Sequence, residues 1–241
     1  MGKGIRFVTE ERTLAIGRTL VVSDLHIGIE HRYRKKGISL PSQSETLMES
    51  LEKIIKQVRT RKLVIIGDVK HRVPGTSFQE EREIPVFFRR LLEIVEVEVV
   101  PGNHDGGIER LLPPGVVLHP SMGFVFGKTW LCHGHAWPSQ EFLNAEHVVI
   151  GHNHAGIEFR DGLGYRWTEP VWVRAELDPE KLAEKYGKAK QPSGGRMEKD
   201  SLPEVVLMPP FNRFASFIPL NRKDREYDKH FSEGPSPLFR A

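Results

Sequence analysis

A single cysteine, Cys132, in 241 residues excludes an internal disulfide framework and any cysteine-rich zinc site, and points to a reducing compartment. No apolar run approaches the roughly 20 residues that a membrane span needs. The first residues, Met1-Gly2-Lys3-Gly4-Ile5-Arg6, carry charge with no apolar stretch behind it, so neither membrane insertion nor secretion is expected. The expectation is a cytoplasmic protein. An excess of one charge is also missing. With 35 Lys and Arg against 32 Asp and Glu, the formal +3 is too small to mark a nucleic-acid partner by itself. There is no internal repeat of fixed period.

What is present is the composition of an ordinary folded protein, with 39% hydrophobic residues, enough to build a packed core. The length fits one domain with a tail or two small domains; one catalytic domain over residues 1–220, followed by a charged tail at 221–241, is the simpler expectation. Short apolar runs predict strands at Ile5–Val8, Leu14–Ile16, Leu20–Ser23, Lys62–Ile66 and Val95–Val100. Between them, Leu47, Met48, Leu51, Ile54, Ile55 and Val58 have helical spacing behind a capping box at Ser42-Gln43-Ser44-Glu45. A second helix is expected over Glu80–Glu93. This alternation of strands and helices predicts an α/β fold with parallel strands, whose chemistry lies beyond their carboxyl ends.

The second half is richer in short strands, at Val116–Leu118, Phe124–Phe126, Thr129–Cys132, Val148–Ile150, Val171–Glu176, Val205–Met208 and Phe214–Ile218, which predicts a second sheet. Asp178-Pro179 caps a short helix ending at Gly187. The polar stretch 188–201 is expected to be a mobile loop.

Five short clusters follow apolar strands or lie in loops beside them: Asp24-Leu25-His26, Gly67-Asp68, Gly102-Asn103-His104-Asp105, His133-Gly134-His135 and Gly151-His152-Asn153-His154. Any one of them alone is an ordinary turn or a hydrogen-bonded loop. Together they offer imidazoles, carboxylates and an amide oxygen, a donor set suited to divalent manganese, iron, zinc or nickel. In Asp24-x-His26, an extended strand would put both side chains on one face. Asp68 is the best placed carboxylate to bridge two ions. Cys132, one residue before His133, is expected to point the other way, into the core.

The order Asp-x-His, Gly-Asp, Gly-Asn-His-Asp, His, Gly-His-x-His, over about residues 20–154, resembles the calcineurin-like metallophosphoesterase superfamily. The resemblance implies a four-layer α/β/β/α sandwich of two mixed sheets flanked by helices. It implies two divalent ions, manganese foremost, one held by Asp24, His26, Asp68 and His154 and the other by Asp68, Asn103, His133 and His152. It makes His104 the catalytic histidine, with Asp105 orienting that ring or capping the loop. The implied reaction is in-line attack on phosphorus by a hydroxide bridging the ions.

Gly67-Asp68-Val69-Lys70-His71 and Asp105 depart from the pattern of the superfamily's protein phosphatases. With Pro209-Pro210-Phe211-Asn212 they are more similar to the SbcD-related branch, some members of which are associated with Lhr-type helicases or DNA ligases. That implies DNA, single-stranded or duplex, as the substrate. His31-Arg32-Tyr33-Arg34-Lys35-Lys36 combines charge with an aromatic ring, so Arg32 and Arg34, together with His71, are candidate substrate contacts, although a solvated basic loop has the same composition. A small-molecule phosphodiesterase or nucleotide hydrolase would share every metal ligand. A protein phosphatase fits the motifs less well, and a non-catalytic scaffold would have lost ligands that are present here. The oligomeric state is left open.

Overall fold

The computed structural model describes residues 4–8, 10–186, 202–222 and the backbone of 239–240. The predicted loop at 188–201 and most of the tail at 221–241 lie outside the described residues. The chain divides into two compact units, one of residues 1–121 with 210–216 and the other of 122–209 with 217–241.

In the first unit, β1 (Ile5–Phe7), β2 (Leu14–Ile16), β3 (Thr19–Val22), β4 (Lys62–Ile66), β5 (Glu96–Val100) and β6 (Val117–Leu118) form one mixed sheet in that order. β1, β2 and β3 pair antiparallel, whereas β3 to β6 run parallel, with Val22 opposite Ile65 and Ile65 opposite Val99. Three helices follow the strands: α1 (Glu30–Lys35), α2 (Ser44–Val58) and α3 (Phe78–Leu92). The apolar stripes of α2 (Leu47, Leu51, Ile54) and α3 (Ile84, Phe88, Leu91) pack with Leu20, Val22, Leu63, Ile65, Val97 and Val99 in one cluster. Val21, Val64, Ile66 and Val100, on the opposite face, are buried as well. Burial on both faces explains why these strands read as unbroken apolar runs and not as alternating patterns.

In the second unit, β7 (Phe124–Phe126), β8 (Thr129–Cys132), β9 (His147–Ile150), β12 (Val173–Leu177), β13 (Glu204–Leu207) and β15 (Phe239–Arg240) build a second mixed sheet in the order β15-β12-β13-β9-β8-β7. Its centre, β8, β9 and β13, is parallel. Helix α4 (Pro179–Tyr186) contributes Leu182 to the core beneath it, beside Trp130, Cys132 and Val148. Asp178 caps α4 as expected, its Oδ1 accepting from the amide of Glu180 at 3.0 Å. A small third sheet joins β10 (Ala155–Arg160), β11 (Arg166–Pro170) and β14 (Ile218–Pro219). Two mixed sheets, each flanked by helix, match the α/β fold expected. Among the described residues no helix is long and apolar enough to cross a membrane.

Three local expectations need correction. The capping box is on α3, where Ser77 and Glu80 exchange side-chain and backbone bonds; α2 has Gln43 at its N-cap position and no side-chain cap. Ser42 is committed elsewhere, donating to Glu83 Oε2 at 2.7 Å. The basic run after the first cluster is a short helix, α1, and not a loop. The strand expected at Phe214–Ile218 is reduced to β14, because residues 210–216 belong to the first unit, where the amide of Phe211 donates to Ser23 O at 2.9 Å and Asn212 Nδ2 to Leu25 O at 2.7 Å.

Phe88 is fully buried in the core of the first unit. Phe88→Ala is expected to cost roughly 3–5 kcal/mol, read as a lower midpoint in urea unfolding, because the cavity it leaves cannot collapse within a packed sheet-helix layer.

Candidate active site

β3, β4 and β5 are parallel, so their carboxyl ends emerge on one edge of the first sheet, and each delivers a cluster: Asp24 to His26, Gly67-Asp68, and Gly102 to Asp105. The pairing of β3 with β4 continues past both strands. Asp24 N donates to Gly67 O at 3.1 Å, His26 N to Asp68 O at 2.8 Å and Ile27 N to Val69 O at 2.8 Å. His71 N donates to Ile27 O at 3.0 Å. The first two clusters are therefore fixed to each other through the main chain.

Asp24, His26 and Asp68 have φ of 56°, 44° and 47°, in the left-handed region. The expectation that Asp24 and His26 share a face because the backbone is extended is therefore wrong; a strained turn, not a strand, aims them. Such a conformation costs of order 1–3 kcal/mol at a non-glycine residue and is found where surrounding structure over-determines it, as at functional sites. The short polar side chains of Asp and His tolerate it better than bulkier ones do.

His26, His71 and His104 come together in the first unit with ring nitrogens within 4.8 Å of one another. His26 Nδ1 and His71 Nδ1 are 3.4 Å apart. Nε2 of His26 and of His104 lie 3.7 and 3.8 Å from Asp68 Oδ2. His104 Nδ1 meets the carbonyl oxygen of His71 at 2.6 Å. A carbonyl only accepts, so Nδ1 carries the hydrogen, and Nε2 is left to face the cluster. Burial first, then the charges of His104 and Arg32, hold the His71 imidazole down at about 4, against the opposing pull of Glu80 and Asp68. At neutral pH that ring is uncharged and its lone pair is available.

Buried polar side chains hold this edge together. Asp105 accepts from the amides of Val69, Lys70 and Gly102 at 3.2, 3.1 and 2.8 Å, tying the second cluster to the third. Burial, and then the neighbouring Asp68 carboxylate, push the Asp105 carboxyl up, while those three amides pull it down. His104 N donates to Asp68 Oδ1 at 2.9 Å. Gly102 is required by close approach, since a Cβ there would overlap both the carboxylate and the amide of Asp68. Lys70 and Glu80, both buried, organise the loop that begins at His71.

The second unit repeats the layout. β8 leads into His133, and β9 leads to His152 and His154, whose φ values of 62° and 45° are again left-handed. His152 Nδ1 and His133 Nε2 are 3.1 Å apart. Their rings stand 4.8 Å apart and His135 lies 5.3 Å from His133. Cys132 turns into the core as expected, where burial pushes its thiol up to about 12.

Of the sequence-predicted residues, the first unit thus gathers Asp24, His26, Asp68, His71 and His104 at one sheet edge, with Asn103 exposed between Gly102 and His104. Arg32 and Arg34 are exposed on α1, and Arg32 Nη1 donates to Ser216 Oγ at 3.3 Å. The second unit gathers His133 and His152, followed on the same loop by His154. Sequence reasoning gave no specific role to His135 or Glu80, and took Lys70 with His71 as a candidate substrate contact where the structure has it buried and bonded to main chain. For His135 the signal was its spacing two residues after His133; for Glu80, an acidic residue three places after Ser77.

A family model described as calcineurin-like phosphoesterase matches residues 17–187, more than half of the chain. A comparison with curated protein sequences finds no match. Among solved structures, the Pseudomonas putida nuclease MPE is similar over 89% of this chain and 84% of that one, with 17% identity and a TM-score of 0.52, a likeness of fold. Yfce, a phosphoesterase from E. coli, matches over 60% of this chain and 74% of its own, with 19% identity and a TM-score of 0.36.

Gly102→Ala is expected to displace Asp68 and to lower the melting temperature, because the added methyl overlaps backbone as well as side chain. Asp105→Asn turns one acceptor into a donor facing an amide, with an expected loss of about 1–3 kcal/mol in chemical unfolding.

Proposed function

Because the chain belongs to the calcineurin-like phosphoesterase family and is a metal-dependent phosphoesterase, we propose that it is a phosphodiesterase of the nuclease type acting on DNA. The observation that carries this reading is the meeting of His26, His71 and His104 around the Asp68 carboxylate, at strand ends held in strained conformations. The donors fit divalent metal: imidazole nitrogens and carboxylates, with no thiolate among them. Asp24, His26, Asp68 and His154 would hold one ion and Asp68, Asn103, His133 and His152 the other, the two units working as one catalytic domain over residues 1–220. Manganese is the proposed ion, with iron, zinc and nickel acceptable to the same donors. Two ions so held supply the Lewis acidity that acidifies water and neutralises charge on a phosphoryl group.

The chain's own residues do the rest. With Nδ1–H held on the His71 carbonyl, His104 keeps Nε2 for the proton that the departing oxygen needs. Asp105 acts as a positioning residue for His104, its carboxylate tying the amides of Val69 and Lys70 to that of Gly102. Arg32, whose charge is felt at His71, would be the contact for a phosphate. The sequence Gly67-Asp68-Val69-Lys70-His71 supports the SbcD-related branch, and with it DNA and association with a helicase or a ligase. A nuclease of the same fold supports the choice of nucleic acid. Small-molecule phosphodiesters are the second reading.

His104→Ala should lower the hydrolysis of bis(p-nitrophenyl) phosphate with manganese by on the order of a hundredfold, the scale of a lost general acid. Bound metal, counted by elemental analysis, should stay the same, whereas Asp68→Ala should lose it. Undiminished turnover in His104→Ala would refute the role given to that ring. In a panel of single-stranded DNA, duplex DNA, RNA, cyclic nucleotides and a phosphopeptide, cleavage of the phosphopeptide alone would overturn the choice of substrate.

A further inference from the structure

The loop that leaves the histidine cluster is built with unusual care for a surface segment. Buried Glu80 accepts with Oε1 from the amides of His71 and Arg72 at 2.9 and 2.7 Å. With Oε2 it accepts from the amide and hydroxyl of Ser77 at 2.6 and 2.8 Å, so one carboxylate gathers both ends of the loop. From inside, the Lys70 ammonium, itself 1% exposed, donates to the carbonyls of Arg72 and Gly75 at 2.9 and 2.8 Å. Burying a lysine and a glutamate is costly unless each is fully bonded, and both are spent here on shaping main chain.

This fixed loop turns apolar side chains outward. Val73 is 55% exposed and Phe78, the first residue of α3, is 79% exposed. A phenylalanine ring is normally among the buried residues of a fold. Phe78 is therefore held in solvent one residue beyond the Ser77 that shares Glu80 with the His71 amide. Exposed cations accompany it: Arg72 on the loop and Arg82, one helical turn after Phe78 and on the same face; Arg82 Nη2 lies 3.8 Å from Glu83 Oε1, a surface pair weak enough for a phosphate to displace, and Glu81 just before it is also exposed. An aromatic face among arginines suits a strand whose bases are unstacked and whose backbone is anionic, because any base can stack on the ring while cations track phosphates. A base inside a duplex has both faces covered and gains nothing from it.

We propose that Phe78, with Arg72 and Arg82, is a stacking platform for unpaired bases that presents single-stranded nucleic acid to the His26, His71 and His104 edge. This rests on the phosphodiesterase reading above and narrows its substrate. The test measures binding without metal, by fluorescence anisotropy of a fluorescein-labelled oligothymidine in the presence of a chelator. Phe78→Ala is expected to weaken binding about tenfold, the loss of one stacked base, while Phe78→Trp retains it. Val86→Ala, which removes another exposed side chain of α3, should leave affinity unchanged. A duplex of equal length should show less than a twofold effect of Phe78→Ala. Wild-type affinity for the oligothymidine in Phe78→Ala, or equal losses for single strand and duplex, would overturn the proposal. Hydrolysis of bis(p-nitrophenyl) phosphate by the wild type with manganese reports separately on the parent reading. If that hydrolysis is present and the affinity is unmoved by Phe78→Ala, only the platform falls.

Discussion

The parallel pairing of β3, β4 and β5 is the constraint from which the rest of the first unit follows. Parallel strands must all end on one side, so whatever follows them is collected there whether or not the loops attract one another. Here the ladder does not stop at the strand ends. Main-chain bonds from Asp24, His26 and Ile27 to the Gly67–Val69 segment extend the register into the clusters, and the positions of Asp24, His26 and Asp68 are inherited from the sheet. Function then asks little of loop flexibility. The second unit applies the same rule with β8 and β9.

Much of this was legible in the residues. Runs such as Leu63–Ile66 and Val97–Val100 are apolar on both faces because both faces are buried, and that pattern marked the strands and with them the clusters at their ends. The hairpin of β10 and β11 was not legible. Its strands are long enough but mostly outside the core, with Phe159 and Trp167 stacked against each other at 5.5 Å and partly exposed, so it has no apolar run to announce it. The capping box was read at Ser42 because the spacing was right; the hydroxyl's preference for Glu83 is a tertiary contact that spacing does not encode. Phe214–Ile218 read as a strand from its apolar residues, but the segment leading into it is held by the first unit, with Phe211 in that core and Asn212 Nδ2 on Leu25 O.

Buried charge in this protein is used for geometry more than for stability. Asp105, Glu80 and Lys70 each satisfy two or three main-chain groups belonging to segments outside the helices and strands. An apolar side chain of similar volume would fill the space but leave those amides and carbonyls without partners, a loss that grows with burial. Such bonds single out one arrangement among many compact ones, which a site dependent on orientation needs.

The left-handed backbone at Asp24, His26, Asp68, His152 and His154 restricts which amino acids evolution can try at those places. β-Branched side chains are barred by sterics alone, before any ligand enters the question. Glycine would relax the turn but remove the carboxylate or imidazole that each position carries. Drift toward robustness and retention of chemistry therefore pull in opposite directions at the same five positions. A variant selected only for heat tolerance should accumulate changes at these positions first.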